Sequence, residues 1–250
     1  MTRVPKSVIV TGAASGIGRA VALAFAAQRA RVGLLDKDAK GLKKVADEVV
    51  ERGGDAFIGE GVLCDEASVR TALGQLSFDE VHVLVNNAGI DLAAGLSETC
   101  EEEFDKIVGV NLKVPFFLCK HVVPLMPKDG TASIVNISSA AGLVPMVGRP
   151  AYNATKGALI AFTRSLALDL APHIRANCIC PGAVDTGLLR SSIDAAPDPN
   201  EAMKNVIQRY PLRRLADVNE IARAVLFLAS PENAYITGIA LPLDGGRTLH

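Results

Sequence analysis

The chain has 250 residues, a mass of 26.2 kDa and a formal charge of −1 at pH 7. That near-neutral balance argues against nucleic acid or anionic lipid as a partner, since both select for a basic excess. A hydrophobic fraction of 49%, broken into short runs by Gly, Asp and Lys, predicts no membrane-crossing segment.

The length suits one α/β domain around a single core. A strand-like Ser7 to Thr11 so near the start leaves no room for a secretory leader, which makes the cytoplasm the expected compartment. From there, apolar runs of strand length alternate with stretches of helical period. The predicted strands are Ser7 to Thr11, Arg31 to Leu35, Ala56 to Gly59, Val81 to Asn86, Ser133 to Ile137, Arg175 to Cys180 and Ile239 to Leu243. The predicted helices are Gly18 to Gln28, Ala39 to Arg52, Ala67 to Gln75, Glu101 to Leu125, Tyr152 to Leu170 and Val218 to Leu228. Such alternation predicts a doubly wound α/β Rossmann fold, a seven-stranded parallel sheet with helices on both faces. Thr99 and Glu102 read as a T-x-x-E capping box before the fourth helix, and Asp217 with Glu220 as an acidic version before the last. The stretch from Ala183 to Tyr210 breaks the rhythm, and its Ala195-Ala196-Pro197-Asp198-Pro199-Asn200 leaves room for only a short helix afterwards. An insertion at a strand's carboxyl end reads as a substrate lid. The five cysteines lack C-x-x-C spacing and read as small buried apolar residues. His82, His121, His173 and His250 have no ligand spacing, so no metal is expected.

The first βα junction, Thr11-Gly12-Ala13-Ala14-Ser15-Gly16-Ile17-Gly18, sets three glycines on one turn. Gly12 permits the turn, Gly16 lets backbone approach a pyrophosphate, and Gly18 lets the helix pack on the sheet. The helix start, through Ser15, Gly16 and Ile17, offers N–H groups and a positive dipole end to phosphates. Strand two ends at Asp36, 18 residues past Gly18, where an acid accepts hydrogen bonds from the adenosine ribose and repels a 2′-phosphate. The cofactor is therefore read as NAD; Lys37 leaves NADP use open, and Asp36 as a plain helix cap is the bland alternative. Asn86-Asn87-Ala88-Gly89 places small and amide residues at the end of strand four, which is also an ordinary turn composition.

Tyr152 and Lys156 stand at i and i+4 of one helix, hence on one face. A tyrosine titrates near 10, so acting as a base near neutral pH requires a loss of about 2 to 3 units, roughly 3 to 4 kcal/mol. An ammonium one turn away, with a positive nicotinamide nearby, has the required sign. Ser139 follows strand five, 13 residues before Tyr152, where its hydroxyl can hold a substrate oxygen. Asn111 is polar within an apolar stretch; a water linking it to Lys156 would satisfy it. Each feature alone has an ordinary explanation: Y-x-x-x-K occurs by chance in helices, and Ser-Ser after a strand is a common turn.

In this order the motifs resemble the short-chain dehydrogenase/reductase family, in its branch of about 250 residues. The resemblance rests on T-G-x-x-x-G-x-G at Thr11 to Gly18, N-N-A-G at Asn86 to Gly89, Asn111, Ser139, Y-x-x-x-K at Tyr152 to Lys156, and Pro181-Gly182. It implies that Tyr152 is the acid/base, that Lys156 binds the nicotinamide ribose and lowers the tyrosine pKa, that Ser139 orients substrate and that Asn111 completes a proton relay. It further implies that Asn87, Ala88 and Gly89 line the cofactor and that Val184 and Thr186, after Pro181-Gly182, hold the carboxamide. Endings such as Leu243-Asp244-Gly245-Gly246 are familiar in the family, and homotetramers are common there. Where the family often has Asp-Val after strand three this chain has Val62-Leu63, which removes an acidic side chain from the adenine position and leaves Asp65 to cap the next helix. That helix is also shorter than usual.

The resemblance implies interconversion of a secondary alcohol and a ketone by hydride transfer, with a hydroxy or keto acid, sugar or polyol as substrate. Leu143, Val144, Met146 and Val147 form an expected apolar wall. Arg149 either meets a substrate carboxylate or sits at a subunit surface. Enoyl reductases use a longer Tyr to Lys gap, and nucleotide-sugar epimerases carry T-G-x-x-G-x-x-G. A silent NAD-binding sensor is the alternative from another class; it would normally lose Ser139, Tyr152 or Lys156.

Overall fold

In the computed structural model, which describes residues 6–249, the first strand β1 (Ser7–Thr11) is buried along its whole length at the centre of a parallel sheet. Its neighbours are β2 (Arg31–Asp36) and β4 (Val83–Asn86), with β3 (Asp55–Glu60), β5 (Ala132–Ile137), β6 (Ile174–Pro181) and β7 (Ala240–Leu243) outside them in the order β3-β2-β1-β4-β5-β6-β7. All the strand pairs are parallel, which makes a seven-stranded sheet among the described residues.

Alternation along the strands explains why both faces are covered. Val8, Val10, Leu34, Val83 and Val85 enter one core, while Ile9, Leu35 and Leu84 enter another on the opposite face. The first core is closed by α1 (Gly16–Ala26), α2 (Ala39–Glu51) and α9 (Val218–Ala229), through Val21, Phe25, Val45, Ile221 and Val225. The second is closed by α3 (Glu66–Gly74), α5 (Val114–Val122) and α6 (Pro150–Asp169), through Val69, Leu118, Val122 and Ala167. Arg175, near the start of β6, is nearly sealed and donates to the carbonyls of Leu228 (2.7 Å), Ala229 (3.3 Å) and Ser230 (3.1 Å), so it caps the end of α9.

The expected fourth helix over Glu101–Leu125 is not one regular helix. It consists of α4 (Glu101–Val108), a π turn over Gly109–Lys113, α5 and a short 3₁₀ turn over Val123–Leu125. Pro115 gives the physical reason: it has no N–H for the carbonyl of Asn111 four residues back, and its ring crowds that carbonyl, so the turn widens. The whole run has the length and apolarity of a membrane span, but Val114, Leu118, Cys119 and Val122 lie in the core against the sheet, the place of a core helix.

The capping box expected at Thr99 falls one residue later. Thr99 gives its hydroxyl hydrogen to Gly95 O (2.8 Å), and Glu103 reaches back to the N–H of Cys100 (3.2 Å). The Asp217–Glu220 box forms as expected, with Asp217 N–H donating to Glu220 at 2.9 Å. Between β6 and α9 the chain makes the expected short helix, α8 (Pro199–Gln208), and before it a further one that was not expected, α7 (Gly187–Asp194). Thr186 caps α7, and Asp198 with Pro199 at the first helical position starts α8. Of the five cysteines, Cys119, Cys178 and Cys180 are buried as expected, whereas Cys64 and Cys100 are exposed; none is in a disulfide.

Candidate active site at the carboxyl ends of the central strands

β1 pairs with β4 although two strands separate them in the chain, so the winding reverses between them and opens a crevice beyond their carboxyl ends. The glycine turn lines it. Gly12 and Gly16 hold positive φ angles of 63° and 53°, a region that favours glycine. A Cβ on Gly18 would stand 2.0 Å from Gly12 O, and one on Gly12 would stand 2.8 Å from Asn87 Nδ2. Helix α1 thus starts directly on the turn. Ser15 at its N-cap makes no side-chain cap, leaving the first N–H groups free for an anion.

The turn is pinned from behind by contacts that the sequence reading did not identify. Thr11 Oγ1 accepts from the N–H groups of Asn87 (3.0 Å) and Ala88 (2.9 Å), and Asn87 Nδ2 donates to Thr11 O (2.9 Å). Farther along, Asn86 Nδ2 donates to Asn136 Oδ1 and Asn136 Nδ2 to Thr163 Oγ1, both at 2.8 Å, tying β4, β5 and α6 together. Their signal was present: amides at the ends of otherwise apolar strands, which buried need partners.

Asp36 ends β2 at the crevice. Its carboxylate accepts from the N–H groups of Ala14 (3.0 Å), Lys37 (2.7 Å) and Asp38 (3.1 Å). Asp38, not Asp36, caps α2. Lys37 is exposed beside it. After β3, Val62 is 65% exposed and Leu63 is buried at 8%, so only Val62 presents a surface, while Asp65 caps α3 through Ser68 N–H at 2.8 Å.

The opposite wall follows β6. Pro181 ends the strand and Gly182 lies under the Tyr210 ring, where a Cβ would come 2.7 Å from Cε1. Buried Val184 pairs with Ala216, and Thr186 caps α7 while facing Gly16, whose Cβ would stand 3.3 Å from Thr186 Cγ2. A glycine turn with free N–H groups, a carboxylate at the end of β2 and a facing wall fit an extended dinucleotide. Beyond Gly182, a cleft of about 560 Å³ lies between the segment Tyr210, Pro211 and Leu212 after α8 and the later residues Asp244 and Leu249.

Tyr152 and Lys156 do share a face of α6: the Lys156 Nζ lies 5.8 Å from the Tyr152 ring centroid. Lys156 is only 5% exposed and donates to Ile137 O at 3.1 Å. Burial pushes its pKa down to about 8. Burial also pushes the Tyr152 phenol up, and the groups pulling it back are the Ser139 hydroxyl and the Arg149 guanidinium. In the protein alone, the expected downward pull by a neighbouring cation therefore comes from Arg149. A Cβ on Gly89 would meet Lys156 Nζ at 3.3 Å and Asn111 Oδ1 at 3.4 Å, so those three groups converge. Asn111, on the π turn, is fully buried. Its Oδ1 accepts from Ile90 N–H and its Nδ2 donates to Ile90 O, both at 2.9 Å, with Thr155 Oγ1 at 3.2 Å. These protein partners hold its amide, with one lone pair of Oδ1 still available.

Ser139 caps the 3₁₀ turn that follows β5, accepting from Ala141 N–H at 3.1 Å, and Ser138 donates to Lys156 O at 2.7 Å, fastening that turn to α6. Arg149, three residues before Tyr152, is ion-paired with Asp91 and only partly exposed. His82 meets Glu80, His121 meets Glu66 and His173 meets Lys128 O; His250 lies outside the described residues.

A family model described as enoyl-(acyl carrier protein) reductase matches residues 12–248. An uncharacterized oxidoreductase of Thermotoga maritima is 39% identical over 244 residues, 97% of each chain. The 2-(R)-hydroxypropyl-CoM dehydrogenase of Xanthobacter autotrophicus is 37% identical, covering 96% of this chain and 97% of its own. Dehydrogenase/reductase SDR family member 6 of Xenopus laevis is 35% identical over 98% of both. Among solved structures, a 3-ketoacyl-(acyl-carrier-protein) reductase from Brucella melitensis complexed with NADH superposes with a TM-score of 0.86 at 34% identity over 97% of this chain and 98% of its own. A blue fluorescent protein from a metagenomic library in complex with NADPH superposes with a TM-score of 0.88 at 32% identity over 97% of both chains.

Proposed function

The chain belongs to the short-chain dehydrogenase/reductase family, an NAD(P)-dependent oxidoreductase family acting on small molecules, and from that membership we propose that it interconverts a secondary alcohol and a ketone with NAD, using Tyr152 as the acid/base. The observation that carries this reading is the convergence of Tyr152, Ser139, Lys156 and Asn111 beside the glycine-lined crevice. A silent sensor has no use for that set, and the dehydrogenases among the relatives do not favour it.

Gly12, Ser15, Gly16, Ile17 and Gly18 would hold the pyrophosphate, Asp36 the adenosine ribose, and Val62 with Leu63 the adenine edge. Asn87, Ala88 and Gly89 would line the middle, Tyr152 and Lys156 the nicotinamide ribose, and Pro181, Gly182, Val184 and Thr186 the carboxamide. When bound, the nicotinamide supplies the hydride acceptor or donor. Ser139 positions the substrate oxygen against the Tyr152 hydroxyl. In the oxidising direction the phenolate takes the alcohol proton; in the reducing direction the phenol returns one to the carbonyl oxygen. Asn111 holds the Ile90 backbone and so the floor under Lys156, and in this reading it also serves the proton's path to solvent.

The NAD preference rests on Asp36, whose charge opposes a 2′-phosphate while Lys37 stands exposed beside it. Helices α7 and α8 act as the substrate lid. The free thiols suit a reducing compartment such as the cytoplasm, and a homotetramer is the expected assembly. The central test is Tyr152→Phe: hydride transfer, followed by nucleotide absorbance over a panel of hydroxy acids, polyols and sugars, should fall at least about 1,000-fold. Nucleotide binding should persist. Retained turnover would assign the proton to another group.

A further inference from the structure

Residues 91 and 149 are far apart in the chain, yet their side chains form a contact at the mouth of the catalytic crevice, Arg149 Nη1 to Asp91 Oδ2. Both backbone positions are fixed. Ile90, next to Asp91, is clamped by both ends of the Asn111 amide at 2.9 Å. Arg149 is the N-cap of α6, directly before Pro150, with Tyr152 in the following turn. The two side chains are only 23% and 24% exposed, so this is not a surface pair of negligible worth. Nor does stability alone call for it, since apolar residues would fill such a place at no loss.

The pair is also incomplete. A guanidinium carries five N–H donors, and among the described residues Asp91 engages Arg149 through Nη1 alone. The other carboxylate oxygen of Asp91 is sealed without a partner. The Tyr152 phenolate, once formed, attracts the charge on Arg149. The guanidinium keeps unused N–H donors beside the acid/base, and a group able to accept two of them would complete its pairing.

Resting on the dehydrogenase reading, we infer that Arg149, braced by Asp91, is the substrate-specificity residue of this site and binds the carboxylate of a hydroxy or keto acid. A planar carboxylate can take two parallel N–H bonds from the donors that Asp91 leaves unused, which fixes the distance from the acid group to the reacting carbon. A neutral polyol has no planar pair of charged acceptors and leaves those donors poorly paired. Leu143 and Val144, on the loop after Ser139, give the body of such a substrate an apolar side to lie on, and Arg247 holds that loop through Val144 O at 3.1 Å.

The test compares kcat/KM for short straight-chain α-, β- and γ-hydroxy acids with that for their amides and for neutral polyols, using NAD and NADP, in the unaltered chain, Arg149→Gln and Arg149→Lys. The expected result is a preference for one acid over its amide of at least about 100-fold in the unaltered chain. That ratio should collapse towards unity in Arg149→Gln, through KM for the acid, and be partly retained in Arg149→Lys, which keeps a charge but not the fork. Nucleotide-induced thermal stabilisation of each variant reports that it is folded. Amides or polyols turned over as well as the acids, or an acid preference that survives Arg149→Gln, would overturn the inference and leave the dehydrogenase intact. Nucleotide binding with no turnover of any acid, amide or polyol would overturn the dehydrogenase reading, and this inference with it.

Discussion

Lys156 and Tyr152 are both pushed by burial towards their neutral forms, which for the lysine means downward to about 8 and for the tyrosine upward. The lysine shift has a definite sign in stability. Below about 8 both folded and unfolded chains carry the proton, and the fold bears the full cost of a buried ammonium. Between about 8 and the ordinary 10.5 the folded chain has released it while the unfolded chain has not, so stability rises with pH across that window. Relative to Lys156→Met, the unaltered chain should gain on the order of 3 kcal/mol across it, since each unit is about 1.4 kcal/mol. Urea unfolding at a series of pH values measures this, and parallel curves for the two proteins would refute the buried charge. If the Tyr152 phenolate is the base, the ascending limb of kcat/KM for alcohol oxidation follows its deprotonation, and because burial pushes the phenol up the rate should still be climbing in the alkaline range. Asp36 makes a separate prediction. Asp36→Ser removes the repulsion of a 2′-phosphate together with an acceptor for Ala14 N–H, so the ratio of NADP to NAD efficiency should rise by about 10- to 100-fold, with NAD efficiency itself falling. An unchanged ratio would mean that the carboxylate does not choose the nucleotide.

At the scale of elements, the π turn over Gly109–Lys113 is the least regular feature, and it carries Asn111. If Pro115 causes it, Pro115→Ala restores an N–H able to bond the Asn111 carbonyl and favours a regular helix. The amide of Asn111 would then rotate away from Ile90. Turnover should drop by roughly 10-fold while the melting temperature holds or rises, because helix propensity improves. A variant with unaltered turnover would show that the widened turn has no part in catalysis. Periodicity did not announce this turn, since five residues are too few to separate its period from that of an α-helix; the one signal in the sequence is Pro115 inside an otherwise helical run. The strands were legible for the opposite reason: Val8-Ile9-Val10 and Val83-Leu84-Val85 are apolar throughout, as strands covered on both faces must be. Between β6 and α9 the hidden helix was α7, because eight residues starting on a glycine are too few to show a helical period, whereas the short helix expected after Ala195-Ala196-Pro197 is α8. In the site, Gly12 to Gly18 and Tyr152 with Lys156 were legible as local spacings. Asp91 was not, because its partner is Arg149, and an ion pair between distant positions leaves no periodic trace.

As a whole, the single chain leaves a number of large apolar side chains exposed, two groups of which include aromatic rings. Phe116 on α5 is 49% exposed, with its ring 5.3 Å from Phe162 on α6 and 5.5 Å from Phe117, so an aromatic group faces outward between those helices. On the β7 side, Phe227, Tyr235, Ile239 and Leu249 are exposed near the cleft that ends at Leu249. Patches of this kind mark association surfaces. If each patch pairs with its counterpart on another copy, two such interfaces on one chain generate a closed tetramer, in which each copy buries one patch against each of two neighbours. Sedimentation equilibrium should therefore give four times the chain mass of 26.2 kDa. Phe116→Asp should split this into dimers, because a carboxylate at the centre of an apolar contact has no partner there, while the far-ultraviolet spectrum stays that of the parent. The dimers should keep nucleotide binding, since the crevice between β1 and β4 lies within one chain. A monomer at assay concentration, or a Phe116→Asp protein that sediments as its parent does, would remove the basis for two interfaces.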